Sequence, residues 1–167
     1  MLLPLIQTLF DIALLRKGPQ DIPRSSILLI FAILLWLAGL LGQFVLIPQI
    51  DESDFVLELF SLLIGVTCYA MVLIAFGQAP RLTQTLTAIL GCGALMAFVF
   101  TVVYVILNAI GSPVLMLIAV WTLVLWSISI KGHIVANAIN SHWYAGLAIA
   151  VSVFILQHIV HAYISAG

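Results

Sequence analysis

The sequence predicts an all-α integral membrane protein, with five transmembrane helices preceded by a short amphipathic interfacial helix. Three observations carry this. The 167-residue chain is 65% hydrophobic, against about 45–50% in soluble domains. Only 7% of its residues are charged, against about 25%, and its mean hydropathy is +1.32. The apolar residues also gather into five stretches, each long enough for the roughly 20-residue crossing that a bilayer core demands. The same figures exclude a soluble domain and a disordered tail. A net charge of −1 leaves no basic face for nucleic acid. Two cysteines cannot build a disulfide scaffold or a cysteine-rich zinc module.

Residues 1–17 are too few to cross. Drawn as a helix, Pro4, Gln7, Thr8 and Asp11 form one narrow polar stripe, while Leu3, Ile6, Leu9, Phe10 and Leu14 fill the other sides. Arg16 and Lys17 close the segment where cations suit a helix C-terminus. We read it as a helix in the membrane interface, with a half-span packed among the others as the alternative. No positive charge precedes its apolar run and no small-residue cleavage site follows, so it does not read as a signal peptide.

Pro19 and Pro23 break the chain, and the first span follows at 26–47, capped by Ser25 or Asp21. The second runs over 55–76, with Ser53 or Asp54 as its cap. Gly77 and Pro80 separate it from the third, 83–107. Gly111, Ser112 and Pro113 supply a C-terminal stop, a cap and a first-turn proline, opening the fourth span, 113–130. Gly132 is one possible end for that helix. Ile134, Val135, Ala138 and Ile139 keep a helical spacing, which favours continuation towards Asn137 or Asn140. The last span covers 143–164. The stretches are apolar on every side, as membrane helices are and barrel strands are not. Residues 1–167 read as one domain without repeats.

The cations set the sidedness. Arg16, Lys17 and Arg24 precede the first span, Arg81 lies between the second and third, and Lys131 follows the fourth. With five crossings all of them share one face, and the opposite face carries Asp51, Glu52 and Asp54. The N-terminus is therefore expected on the cytoplasmic face and the C-terminus on the external one. Small residues mark the expected helix contacts: Gly39 and Gly42, then Gly91, Gly93 and Ala97, then Gly146 and Ala150. Cys68 and Cys92 read as small, inert residues of the same layers.

Chemistry-bearing constellations are few. His158 and His161 stand three apart on one helical face. With Asp51, Glu52 or Asp54 they form a candidate metal pair; the plain alternative is two interfacial histidines bonded to water or headgroups. The outer halves of the other spans have no histidine, so a bis-His haem within the chain is not expected. Glu58 is the only acid inside a span, and it reads as a first-turn carboxylate favoured by the helix dipole. On that basis an ion or proton pathway, which needs ionisable groups within the spans, is disfavoured. No hydrolase, metalloprotease, phosphate-loop or C-x-x-C motif is present, and no enzyme activity or cofactor is expected.

Two cytoplasmic segments are the candidate contact surfaces. One is the elbow at 11–25, where Arg16, Lys17 and Arg24 can meet anionic headgroups and Asp21 can cap the turn or pair with Arg24. The other is 131–143, where Lys131, His133 and His142, near Asn137 and Asn140, can touch headgroups or a partner.

This arrangement resembles the Yip1-domain family of small membrane proteins in their bacterial form. The likeness lies in the five-span layout with the N-terminus inside, in the segment Leu14-Leu15-Arg16-Lys17-Gly18-Pro19-Gln20-Asp21-Ile22-Pro23, and in Lys131-Gly132-His133. Eukaryotic members are scaffolds that bind small GTPases. This sequence shows no long polar N-terminal arm like theirs, so that partner is not implied, and for bacterial members the resemblance implies no defined activity. The expected function is a non-enzymatic scaffold or accessory subunit docking a neighbouring membrane protein or a second copy. The second reading is a subunit of a redox or transport complex that contributes to a quinone, lipid or metal site.

Overall fold

Inside hydrocarbon every backbone N–H and C=O must find its partner within the chain, and local helix is the direct solution. The computed structural model describes residues 2–48 and 52–165 and contains no strand among them. Its helices are α1 (Leu2–Ala13), α2 (Ser26–Leu46), α3 (Glu52–Ala75), α4 (Leu82–Ile110), α5 (Pro113–Ala138) and α6 (Trp143–Ser165). Short 3-10 turns cover Pro19–Asp21 and Ala79–Arg81. Helices α2 to α6 are each long and apolar enough to cross a membrane, so the chain has the build of a multi-pass membrane protein.

The turns obey local chemistry. Gly111 ends α4 with φ of 72°, a left-handed conformation that glycine adopts without steric cost. The Ser112 hydroxyl accepts the Leu115 N–H, and Pro113 takes the first helical position. In the elbow, the Asp21 carboxylate accepts the Gly18 N–H at 2.9 Å, closing the turn that Pro19 begins. Asp21 is thus a cap and not the partner of Arg24. Helix α3 starts at Glu52, so Ser53 and Asp54 lie inside its first turn and do not cap it.

Helix α5 runs on to Ala138, about two turns beyond residue 130, continuing as the apolar spacing of Ile134, Val135 and Ala138 favours. This places Lys131 within the helix.

Helix α4 is the hub, packing against α1, α2, α3 and α5. Gly39 of α2 lets the Ala97 side chain approach, and Ala32, Trp36 and Leu40 pack with Leu90 and Ala94. Gly42 meets no neighbouring atom, so half of that expected pair makes no contact. Helices α5 and α6 cross where Gly132 and Gly146 lie backbone against backbone. Gly91 of α4 leaves space for Leu9 of α1, and the Cys92 thiol donates to the Leu9 carbonyl at 3.6 Å.

Helix α1 buries Leu5, Leu9, Ile12 and Ala13 and exposes Ile6 and Phe10 alongside Pro4 and Gln7. Its open side is therefore mixed rather than a purely polar stripe. Its Leu9 reaches Gly91, about 14 Å along α4 from Leu82 at 1.5 Å per residue. The Ala13 carbonyl accepts the Trp126 indole N–H at 3.1 Å.

One end of the bundle is cross-braced by charge. The Arg81 guanidinium donates to the carbonyls of Asn137 and Ala138 and to the Asn140 side-chain oxygen, at 2.9–3.2 Å. It thereby satisfies carbonyls that the end of α5 leaves without helical partners. Arg81→Ala is expected to cost about 1–3 kcal/mol, read as a lower thermal midpoint in detergent, with Arg81→Lys recovering part of the loss.

Candidate functional site

The sequence-predicted contact residues divide between two places. At the braced end, Arg16 and Lys17 are exposed beyond α1, and Lys17 pairs with Asp11 at 2.7 Å. The Asp11 carboxylate holds the Lys17 ammonium above its ordinary 10.5. A raised lysine contributes fully below its unfolded value and fades as pH climbs through the folded one, so this pair is intact on the lysine side throughout the neutral range. Arg24 donates to the Gln84 side-chain oxygen at 3.2 Å, and the Gln84 amide donates to the Ile22 carbonyl. His133 lies 3.0 Å from the Lys17 carbonyl through Nε2, so it tethers the elbow to α5. His142 is exposed, and its carbonyl accepts the Ala145 N–H at the start of α6.

Lys131 does not join them. It lies seven residues before the end of α5, about 10 Å along the helix, and is half-buried. It faces a cleft between α3 and α5, two helices that are not closely packed against each other. The cleft has two lobes that share Trp36, Glu58, Gly93, Lys131 and Phe154.

The first lobe, about 300 Å³, adds Ser61, Tyr69, Gln157, His158 and His161 to the shared residues, among the apolar side chains of Leu62, Val66, Ile89 and Leu90. The second, about 290 Å³, adds Leu40, Met96, Phe100, Val120, Leu123 and Ile128, together with Gln43 and Ser127. Each lobe sits at the lower bound of ligand pockets, about 300–1,000 Å³. Of the shared residues, Trp36, Gly93 and Phe154 lie near the middle of their helices.

The polar wall follows from helical spacing. Glu58, Ser61, Gly65 and Tyr69 fall on one face of α3, and Phe154, Gln157, His158 and His161 on one face of α6. Gln157 donates to the Ser61 carbonyl at 2.6 Å, fastening these two helices. Glu58 sits in the second turn of α3 and is exposed on the cleft side. It is a lining residue as well as a helix-start acid. Glu58 and Lys131 thus line one cleft.

The Lys131 ammonium makes no hydrogen bond or ion pair among the described residues, though the Glu58 charge acts on it. In membrane proteins such residues mark ligand or ion sites by default. His158 stacks on Phe154, with ring centroids 6.0 Å apart and an interplanar angle of 16°. Among the described residues no three His, Cys, Asp or Glu side chains are grouped to hold a metal. Asp51, one of the carboxylates considered for the histidine pair, lies outside the described residues. Cys68 is half-buried and Cys92 fully buried.

No family model matches the chain, and neither curated proteins nor solved structures give a match to it.

Proposed function

We propose that this protein binds an amphiphilic small molecule in the cleft between α3 and α5, as an accessory subunit or carrier within its membrane. The observation that carries this is a pair of charged residues in a cleft with apolar walls. Lys131 and Glu58 line both lobes, and aliphatic and aromatic side chains surround them, most continuously in the second lobe. A headgroup and a tail need those two environments side by side. Of the two sequence readings, this develops the one in which the protein contributes to a lipid or quinone site.

We further assign the elbow end to the cytoplasm of a bacterium and the α6 C-terminus to the periplasm, since all five Lys and Arg lie towards the elbow half of their segments. The exposed Arg16, Lys17 and His142 then form the surface for anionic headgroups or a neighbouring membrane protein. The Yip1-like layout is compatible with such an accessory role. Helix α1 turns Ile6 and Phe10 towards lipid.

Native mass spectrometry of the delipidated full chain tests the reading. One equivalent of diacyl lipid is expected to survive transfer to the gas phase. A Cβ on Gly93 would make ordinary contact with Trp36 at 3.5 Å, so Gly93→Ala should keep the lipid. Gly93→Leu puts a larger side chain on the wall common to both lobes and should lose it. Equal retention in both variants would defeat the proposal.

A further inference from the structure

We infer that the ligand of the cleft is zwitterionic, with its anionic group held by Lys131 and its cationic group by Glu58. This rests on the amphiphile reading above and adds the class of headgroup.

The argument starts from charge placement. Lys131 and Glu58 are the Lys and the acid lining the cleft, and both line both lobes. They stand on the two walls, α5 and α3, and they do not close into an ion pair of their own. Among the other polar lining groups, Gln157 is committed to the Ser61 carbonyl, Tyr69 is buried and His158 stacks on Phe154. Beside these and His161, the cleft presents one lysine and one carboxylate, held apart, in surroundings dominated by apolar helices.

An ion in such surroundings is costly unless a counter-charge meets it. An anionic headgroup would answer Lys131 but bring like charge to Glu58. A cationic headgroup would do the reverse, and a neutral one would answer neither. A headgroup carrying both signs satisfies both walls at once. The aliphatic and aromatic side chains of the second lobe then meet its chain.

Four lipids with identical acyl chains separate these cases on the full chain by native mass spectrometry: phosphatidylethanolamine, phosphatidylglycerol, a trimethylammonium-propane lipid and diacylglycerol. Phosphatidylethanolamine is expected to be retained at least about tenfold better than the other three, the scale of a lost charge-assisted hydrogen bond. Glu58→Gln should erase its advantage over phosphatidylglycerol, and Lys131→Gln its advantage over the cationic lipid. Phosphatidylglycerol binding as well as phosphatidylethanolamine to the wild-type chain would overturn the inference. So would both variants keeping the wild-type order. If all four lipids bind equally and Gly93→Leu removes them all, the amphiphile reading stands and the zwitterion falls. If none binds, the amphiphile reading itself falls.

Discussion

Gly146→Leu is expected to abolish recovery of folded protein, the largest effect of any single substitution considered for this chain. A Cβ at Gly146 would overlap the Gly132 carbonyl oxygen and come within 2.6 Å of both the Ala136 Cβ and its backbone nitrogen. These are not side-chain tips that can swing aside. They belong to the backbone of α5 and to a methyl fixed on it. From the other side, a Cβ at Gly132 would lie 2.9 Å from the Leu147 Cα. Overpacking a well-filled core usually costs about 1–3 kcal/mol, and here relief requires the two helices to separate along their whole contact. Membrane helices associate through close packing rather than by escaping water, so separation forfeits the interaction that holds the pair. The expected readout is aggregation on size-exclusion chromatography, with Gly146→Ala already lowering the thermal midpoint. Gly42→Ala is the control, because no atom lies near a Cβ there. A monodisperse Gly146→Leu protein with an unchanged midpoint would show that the crossing is looser than described.

Lys131→Met is expected to leave the thermal midpoint of the lipid-free protein unchanged or raise it, while lipid retention falls at least about tenfold. The two effects separate because they come from different physics. Replacing an ionic group in low-dielectric surroundings by an apolar one of similar length is often neutral or stabilising. Lys131 has no hydrogen bond among the described residues to lose. The ligand, by contrast, loses its counter-charge. Lys131→Glu makes the opposite case: two carboxylates then face one cleft and repel, so both stability and retention should fall. A structural lysine would behave otherwise, with Lys131→Met lowering stability and retention together. Thermal unfolding and native mass spectrometry on the same preparations decide between the two.

Much of the fold was legible because composition and punctuation point the same way. Gly111, Ser112 and Pro113 mark their turn residue by residue, and the structure follows them. The apolar spacing of Ile134, Val135 and Ala138 already indicated that the fourth span continues. The cleft was not legible in the same way. The sequence places Lys131 on a cytoplasmic segment because it follows the fourth span, where Gly132 is one possible helix end. In the structure Gly132 is a packing residue, used for the close approach of α6. Glu58 was read through its nearness to a helix start, which is real but secondary to the face it occupies. The available signal was periodicity among the scarce polar residues: Glu58, Ser61 and Tyr69 on one helix, Gln157, His158 and His161 on another, Ser127 and Lys131 on a third. Sequence periodicity shows that each stripe exists. It cannot show that the stripes converge, because helix rotation is set by contacts such as Gly39 with Ala97 and Gln157 with Ser61.

Arg81 is one of only five Lys and Arg in the chain, and it spends its guanidinium on the end of α5. Charge-swap mapping of insertion polarity would therefore be confounded at this position. Removing it alters the topogenic signal and loosens a helix terminus in the same stroke, so a misrouted variant could not be told from a misfolded one. Arg16 is the clean probe, since its exposed side chain can be reversed in sign without taking a cap away from any helix.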